Sequence, residues 1–101
     1  MSKNAYLVYE CYEKRDKPLC VITADTLEEA IRITGGEPLG LYQGEFQVHI
    51  PLEKCHDSGY RGVGWKNMLF YEHGPIRFEV DPNLFTGGVL ALVEVPLFEA
   101  A

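Results

Sequence analysis

The stretch "CHDSGYRGVGWKN", Cys55 to Asn67, gathers a thiol, an imidazole, a carboxylate, a hydroxyl, three glycines, two cations and the only tryptophan of the 101 residues. Its first four residues, Cys55, His56, Asp57 and Ser58, are the residue types of nucleophile triads. A triad needs nucleophile, base and orienting acid to converge in space. Successive residues of an extended chain point to opposite sides, so adjacency in sequence argues against one here. A Cys55 nucleophile would need His49 or His73 from another strand, and no nucleophile-elbow signature accompanies it. Cys55, His49, His56 and His73 are also zinc-ligand types, but C-x-x-C and H-E-x-x-H spacings are both missing. The sequence therefore assigns no catalytic residue, no metal and no cofactor.

The second half, "GYRGVGWK", offers different chemistry. Gly62 and Gly64 let backbone N–H groups approach an anion, Arg61 and Lys66 supply positive charge, and Tyr60 and Trp65 offer ring faces. These are parts of a phosphate or nucleotide site. The G-x-x-G-x-G spacing does not follow a strand and open a helix, so it is neither a dinucleotide fingerprint nor a P-loop. The plain alternative is a surface loop whose Trp65 packs back on the core. An arginine among aromatics is equally the composition of a protein-binding hot spot. Tyr60, Arg61, Gly62, Gly64, Trp65 and Lys66 are the candidate ligand- or partner-binding residues.

Such a loop has to be held by regular elements. "NAYLVYECYE" (4–13) and "KPLCVITA" (17–24) flank a charged turn and predict a hairpin; with its tip at Arg15 and Asp16, Cys11 falls opposite Cys20. "ADTLEEAIRITGG" (24–36) predicts a short amphipathic helix. Thr26 and Glu29 have capping-box spacing, Glu28 and Glu29 complement the helix dipole, and Gly35 suits the left-handed stop. Leu27, Ala30, Ile31 and Thr34 share one side, so the acids have a structural explanation and receive no catalytic role. "EPLGLYQGE" (37–45) reads as a connection. "FQVHIPL" (46–52) alternates, Phe46, Val48 and Ile50 against Gln47 and His49, until Pro51 ends the strand or puts it at an edge. "NMLFYE" (67–72) and "IRFEV" (76–80) form a second hairpin around "HGP". "DPNLFTGG" (81–88) is a turn, and "VLALVEV" (89–95) is apolar enough for a strand buried on both faces.

The expected fold is a single α+β domain over 1–101. It has an antiparallel sheet of five or six strands with one short helix packed on one face, in the order ββα then three or four strands. One short helix cannot cover such a sheet. Curvature, long loops or another subunit must hide the rest, so a homodimer is expected unless a closed barrel removes the need.

Composition narrows the function classes. A net charge of −6 disfavours direct nucleic-acid binding, which rests on Lys and Arg neutralising phosphates, and suits a partner with a basic surface. Arg61, Lys66 and Arg77 form a basic island between two acidic segments. No stretch approaches the ~20 apolar residues of a membrane span, and no leader pattern is present. Three cysteines do not suggest a disulfide framework. The expectation is a cytoplasmic, non-enzymatic protein-binding module, an inhibitor of the anti-CRISPR or other anti-defence type that mobile elements carry, occluding a basic surface. The alternative is a nucleotide- or anion-binding module using the 59–66 loop, and the third reading is a Cys55-dependent enzyme.

Overall fold

A computed structural model describes residues 4–11, 17–61, 67–80, 82 and 87–96, with 60, 61 and 87 given as backbone alone. The chain runs β1 (Asn4–Glu10), β2 (Cys20–Ala24), α1 (Leu27–Thr34), β3 (Glu37–Tyr42), β4 (Glu45–Pro51) and a 3-10 turn (Leu52–Lys54). It continues through β5 (His56–Arg61), β6 (Asn67–His73), β7 (Ile76–Val80) and β8 (Gly87–Val95). The fold is α+β, as expected, with every paired strand antiparallel. Five strands form one sheet in the order β2-β1-β8-β4-β3, and three form a second in the order β5-β6-β7. The described strands number eight rather than five or six, because two segments without apolar alternation, 37–42 and 56–61, are strands as well.

The core lies between the large sheet on one side and the helix and small sheet on the other. Tyr6, Val8, Ile22, Ala24, Val48, Ile50, Leu90 and Leu92 line the large sheet's inner face. Ala30 and Ile31 from α1 and Tyr71, Ile76, Phe78 and Val80 from the small sheet close over it. Period-two alternation in β4 and β7 produces this burial: Val48, Ile50, Ile76, Phe78 and Val80 are buried while Arg77 and Glu79 are exposed. Pro51 is the last residue of β4, and β4 itself is internal, between β8 and β3.

The helix is built as its sequence requires. Thr26 is the N-cap, its hydroxyl accepting from the Glu29 N–H at 3.1 Å. Gly35 stops the helix at φ 77° and donates its N–H to the Arg32 carbonyl. Gly36 has a separate task, because a Cβ there would stand 2.5 Å from Val48 Cγ1 and 2.6 Å from Ile50 Cδ1. Its missing side chain lets the helix exit lie directly on β4.

Two expectations about the N-terminal half are corrected. Val8, not Cys11, pairs with Cys20, while the expected tip at Arg15 and Asp16 lies outside the described residues. Cys11 then has the parity of Leu7 and Tyr9 and lies over β8, where its sulfur accepts from Gln47 Nε2 at 3.4 Å, whereas Cys20 packs against the core on the opposite face. None of the three cysteines is in a disulfide. The segment 37–45 is no mere connection: β3 pairs along β4, with a bulge between Pro38 and Gly40 and a tight turn at Gln43 (φ 50°) and Gly44 (φ 80°).

Candidate functional site

The 55–61 segment closes the question of "CHDS" residue by residue. Cys55 follows the 3-10 turn, its thiol donates weakly to the Pro51 carbonyl at 3.7 Å, and burial pushes that thiol's pKa up, away from the reactive thiolate. His56 and Asp57 face Phe70 and Leu69 across the β5–β6 ladder, so the two side chains leave opposite faces of the sheet. The His56 ring lies tilted 55° to Phe70, 5.9 Å between centroids. Asp57 accepts from the Gly59 N–H at 2.8 Å and from Asn67 Nδ2 at 2.6 Å. That pair of bonds holds the irregular stretch of β5 in which Gly59 takes φ 75°. Ser58 donates to the Met68 carbonyl at 2.7 Å. Thiol, imidazole, carboxylate and hydroxyl thus have separate partners and do not converge.

The distant histidines do not complete a site either. His49 lies on the outer face of the large sheet, opposite Val89 and Glu37. His73 stacks on Tyr71 in the small sheet, 6.1 Å between centroids and 15° from parallel. Among the described residues no group of three His, Cys, Asp or Glu could hold a metal ion.

Tyr60 and Arg61 form the end of β5, described as backbone, while Gly62, Gly64, Trp65 and Lys66 lie outside the described residues. The strand they leave borders a cavity of about 440 Å³ lined by Ser58, Phe70, Arg77, Phe78 and Glu79. Its floor is an aromatic ring with a cation above it, the Arg77 guanidinium 5.5 Å from the Phe70 centroid. The same guanidinium reaches Glu72 at 3.7 Å, a solvent-exposed pair of small energetic weight. Guanidinium and ring face together could hold an anionic group beside a planar one.

A second surface was not singled out by the sequence. Leu39, Leu41 and Tyr42 of β3 are 56%, 74% and 60% exposed, three large apolar side chains on one six-residue edge strand. Glu37 and Glu45 flank them. The signal was the dipeptide Gln43-Gly44 between "LGLY" and "EFQV", the two-residue X-Gly pattern of a primed hairpin turn. The adjoining Pro38 and Gly40 masked it.

No protein-family model matches the chain, and neither a curated protein nor a solved structure does. Among the described residues no helix is long and apolar enough to cross a membrane.

Proposed function

We infer that this chain is a non-enzymatic protein-binding module whose contact surface is the β3–β4 hairpin. One observation carries the reading: Leu39, Leu41 and Tyr42 are three large, solvent-exposed apolar side chains on one short edge strand, with Leu41 and Tyr42 on its opposite faces. Large exposed apolar side chains grouped on a rigid element are what a protein interface buries, and aromatic and apolar anchors dominate its energetics. Pro38 and the bulge beside it interrupt the free edge, which disfavours strand addition and leaves recognition to the side chains. Glu37, Glu45 and the net charge of −6 add a negative field that guides a basic surface toward the hairpin. Occlusion of such a surface is how an anti-CRISPR or other anti-defence inhibitor acts, and the acidic balance suits that use.

The test places a photo-crosslinking residue at position 41 or 42, with position 32 on the exposed side of α1 as control. One species captured from both hairpin positions, absent from the control and lost at high salt, supports the reading. Equal capture at all three positions removes it.

The cavity beside β5 supports a second reading, a small-ligand module for a nucleotide or other anion. Thermal stabilisation by ATP or inorganic phosphate that disappears in Arg61→Ala and Arg77→Ala would favour it. Stabilisation unchanged in both variants would place the ligand elsewhere.

A further inference from the structure

The cavity beside β5 carries both signs of charge, which makes it more selective than an anion site. His56, Phe70 and Glu79 form one cross-strand row of the small sheet, and Glu72 and Arg77 form another on the same face. Arg77 and Glu79 alternate with the buried Ile76, Phe78 and Val80, so both side chains leave the solvent face of β7. Two strand residues apart, their Cα atoms are separated by roughly 6.8 Å. With Ser58, Phe70 and Phe78 they line a space of about 440 Å³, within the roughly 300–1,000 Å³ of small-molecule sites.

The charges disfavour a polyanion. Glu72 meets the Arg77 guanidinium at Nε, 3.7 Å away, whereas a charge-assisted hydrogen bond closes to roughly 2.7–2.9 Å. Both members of that pair are exposed, so a ligand carboxylate can replace Glu72 and use two N–H groups of the guanidinium fork at once. Glu79 makes no ion pair among the described residues. A phosphate chain seated on Arg77 would face two carboxylates with one cation to hold it. A ligand that also carries a cation finds Glu79 able to receive it. The Phe70 ring supplies a third contact, with His56 tilted against it at 5.9 Å and the guanidinium 5.5 Å from its centroid, and a ligand ring packs there edge to face or offset.

We propose that this cavity takes an aromatic α-amino acid as its zwitterion, the carboxylate on Arg77, the ammonium on Glu79 and the ring against Phe70. The assignment rests on the small-ligand reading of the cavity and narrows its anion to a carboxylate with an ammonium beside it. Each charge of the ligand has one partner, so an analogue that lacks either charge loses a charge-assisted hydrogen bond.

The test is an NMR titration of the full chain, following the backbone amides of Phe70, Arg77 and Glu79. The probes are phenylalanine, phenylalaninamide, which lacks the carboxylate, 3-phenylpropanoate, which lacks the ammonium, and ATP. Phenylalanine should shift all three amides and bind at least tenfold more tightly than either single-charge analogue. Glu79→Gln should weaken phenylalanine at least tenfold and leave 3-phenylpropanoate unchanged, while Arg77→Gln should weaken phenylalanine and leave phenylalaninamide unchanged. Both side chains stand in solvent, so the variants should keep the native circular dichroism spectrum. If 3-phenylpropanoate binds as tightly as phenylalanine, or ATP binds more tightly, the zwitterion assignment falls and the anion reading stands. Titrations that move none of the three amides remove both.

Discussion

The phenol of Tyr71, in the middle strand of the small sheet, donates its hydrogen bond to the carbonyl of Thr34, the last residue of the helix, at 2.5 Å. The last four carbonyls of any helix lack partners inside it. Here Thr34 Oγ1 takes the Ile31 carbonyl, the Gly35 N–H takes that of Arg32, and Tyr71 takes that of Thr34. Lys54 Nζ reaches the Gly35 carbonyl at 2.7 Å just beyond. The small sheet is therefore tied to the helix exit by a buried polar bond as well as by apolar contact. Tyr71→Phe keeps the ring and leaves the Thr34 carbonyl buried without its donor. The expected cost is about 1–2 kcal/mol, read as a lower urea midpoint with the folded spectrum intact. An unchanged midpoint would mean that water takes the phenol's place.

The same residue sets an alkaline limit. Burial, and secondly the negative charge of a Cys55 thiolate, raise the Tyr71 pKa above its ordinary value of 10.0. Burial also raises Cys55 and Cys20 above 9.0. Groups that hold their protons more tightly when folded leave the native state with more bound protons, so stability falls as pH rises. Their contribution is fully present below about pH 9 and is lost progressively above it. Urea midpoints measured from neutral to strongly alkaline pH should decline across that window, and less steeply in Tyr71→Phe. A flat profile would contradict the assignment.

Cys55 should be a slow nucleophile. Its partly buried thiol, weakly bonded to the Pro51 carbonyl, keeps its proton at neutral pH. Iodoacetamide labelling followed by peptide mass spectrometry should modify Cys55 more slowly in the folded chain than in urea. Labelling as fast as in the unfolded chain would restore it as a reactive group.

At Gly88 the large sheet lies close against the small one, since a Cβ there would collide with the Phe78 ring. Gly88→Ala should cost about 1–3 kcal/mol by overpacking. Phe78→Leu frees room for the methyl, so the double variant should lose less than the two single variants together. Simple additivity in denaturation midpoints would show that the sheets do not meet there.

Local signals were legible in the sequence. Capping residues, the Leu27-Ala30-Ile31-Thr34 stripe and Gly35 define the helix, and strict alternation defines β4 and β7, because each depends on neighbours a few residues away. The strands β3 and β5 were not legible. Pro38 and Gly40 interrupt the first and His56, Asp57 and Ser58 give the second a polar face, so neither carries apolar periodicity. The β1–β2 register also escaped, since it depends on how many residues the turn consumes. At the site, spatial divergence of "CHDS" followed from strand geometry alone. The exposed β3 side chains could not be found that way, because their exposure is decided by what fails to pack over them.

The position of β8 in the large sheet bears on how the chain folds. It lies between β1 and β4, pairing with Ala5–Glu10 on one side and Phe46–Pro51 on the other. Without it the β1–β2 and β3–β4 hairpins share no ladder, and the small sheet has only part of a surface to close on. Both of its pairings span some forty to ninety residues of chain, the separation that slows folding through loop-closure entropy. A nascent chain that has not yet reached residue 87 carries two hairpins with open edges, and the large sheet forms only when its centre arrives last.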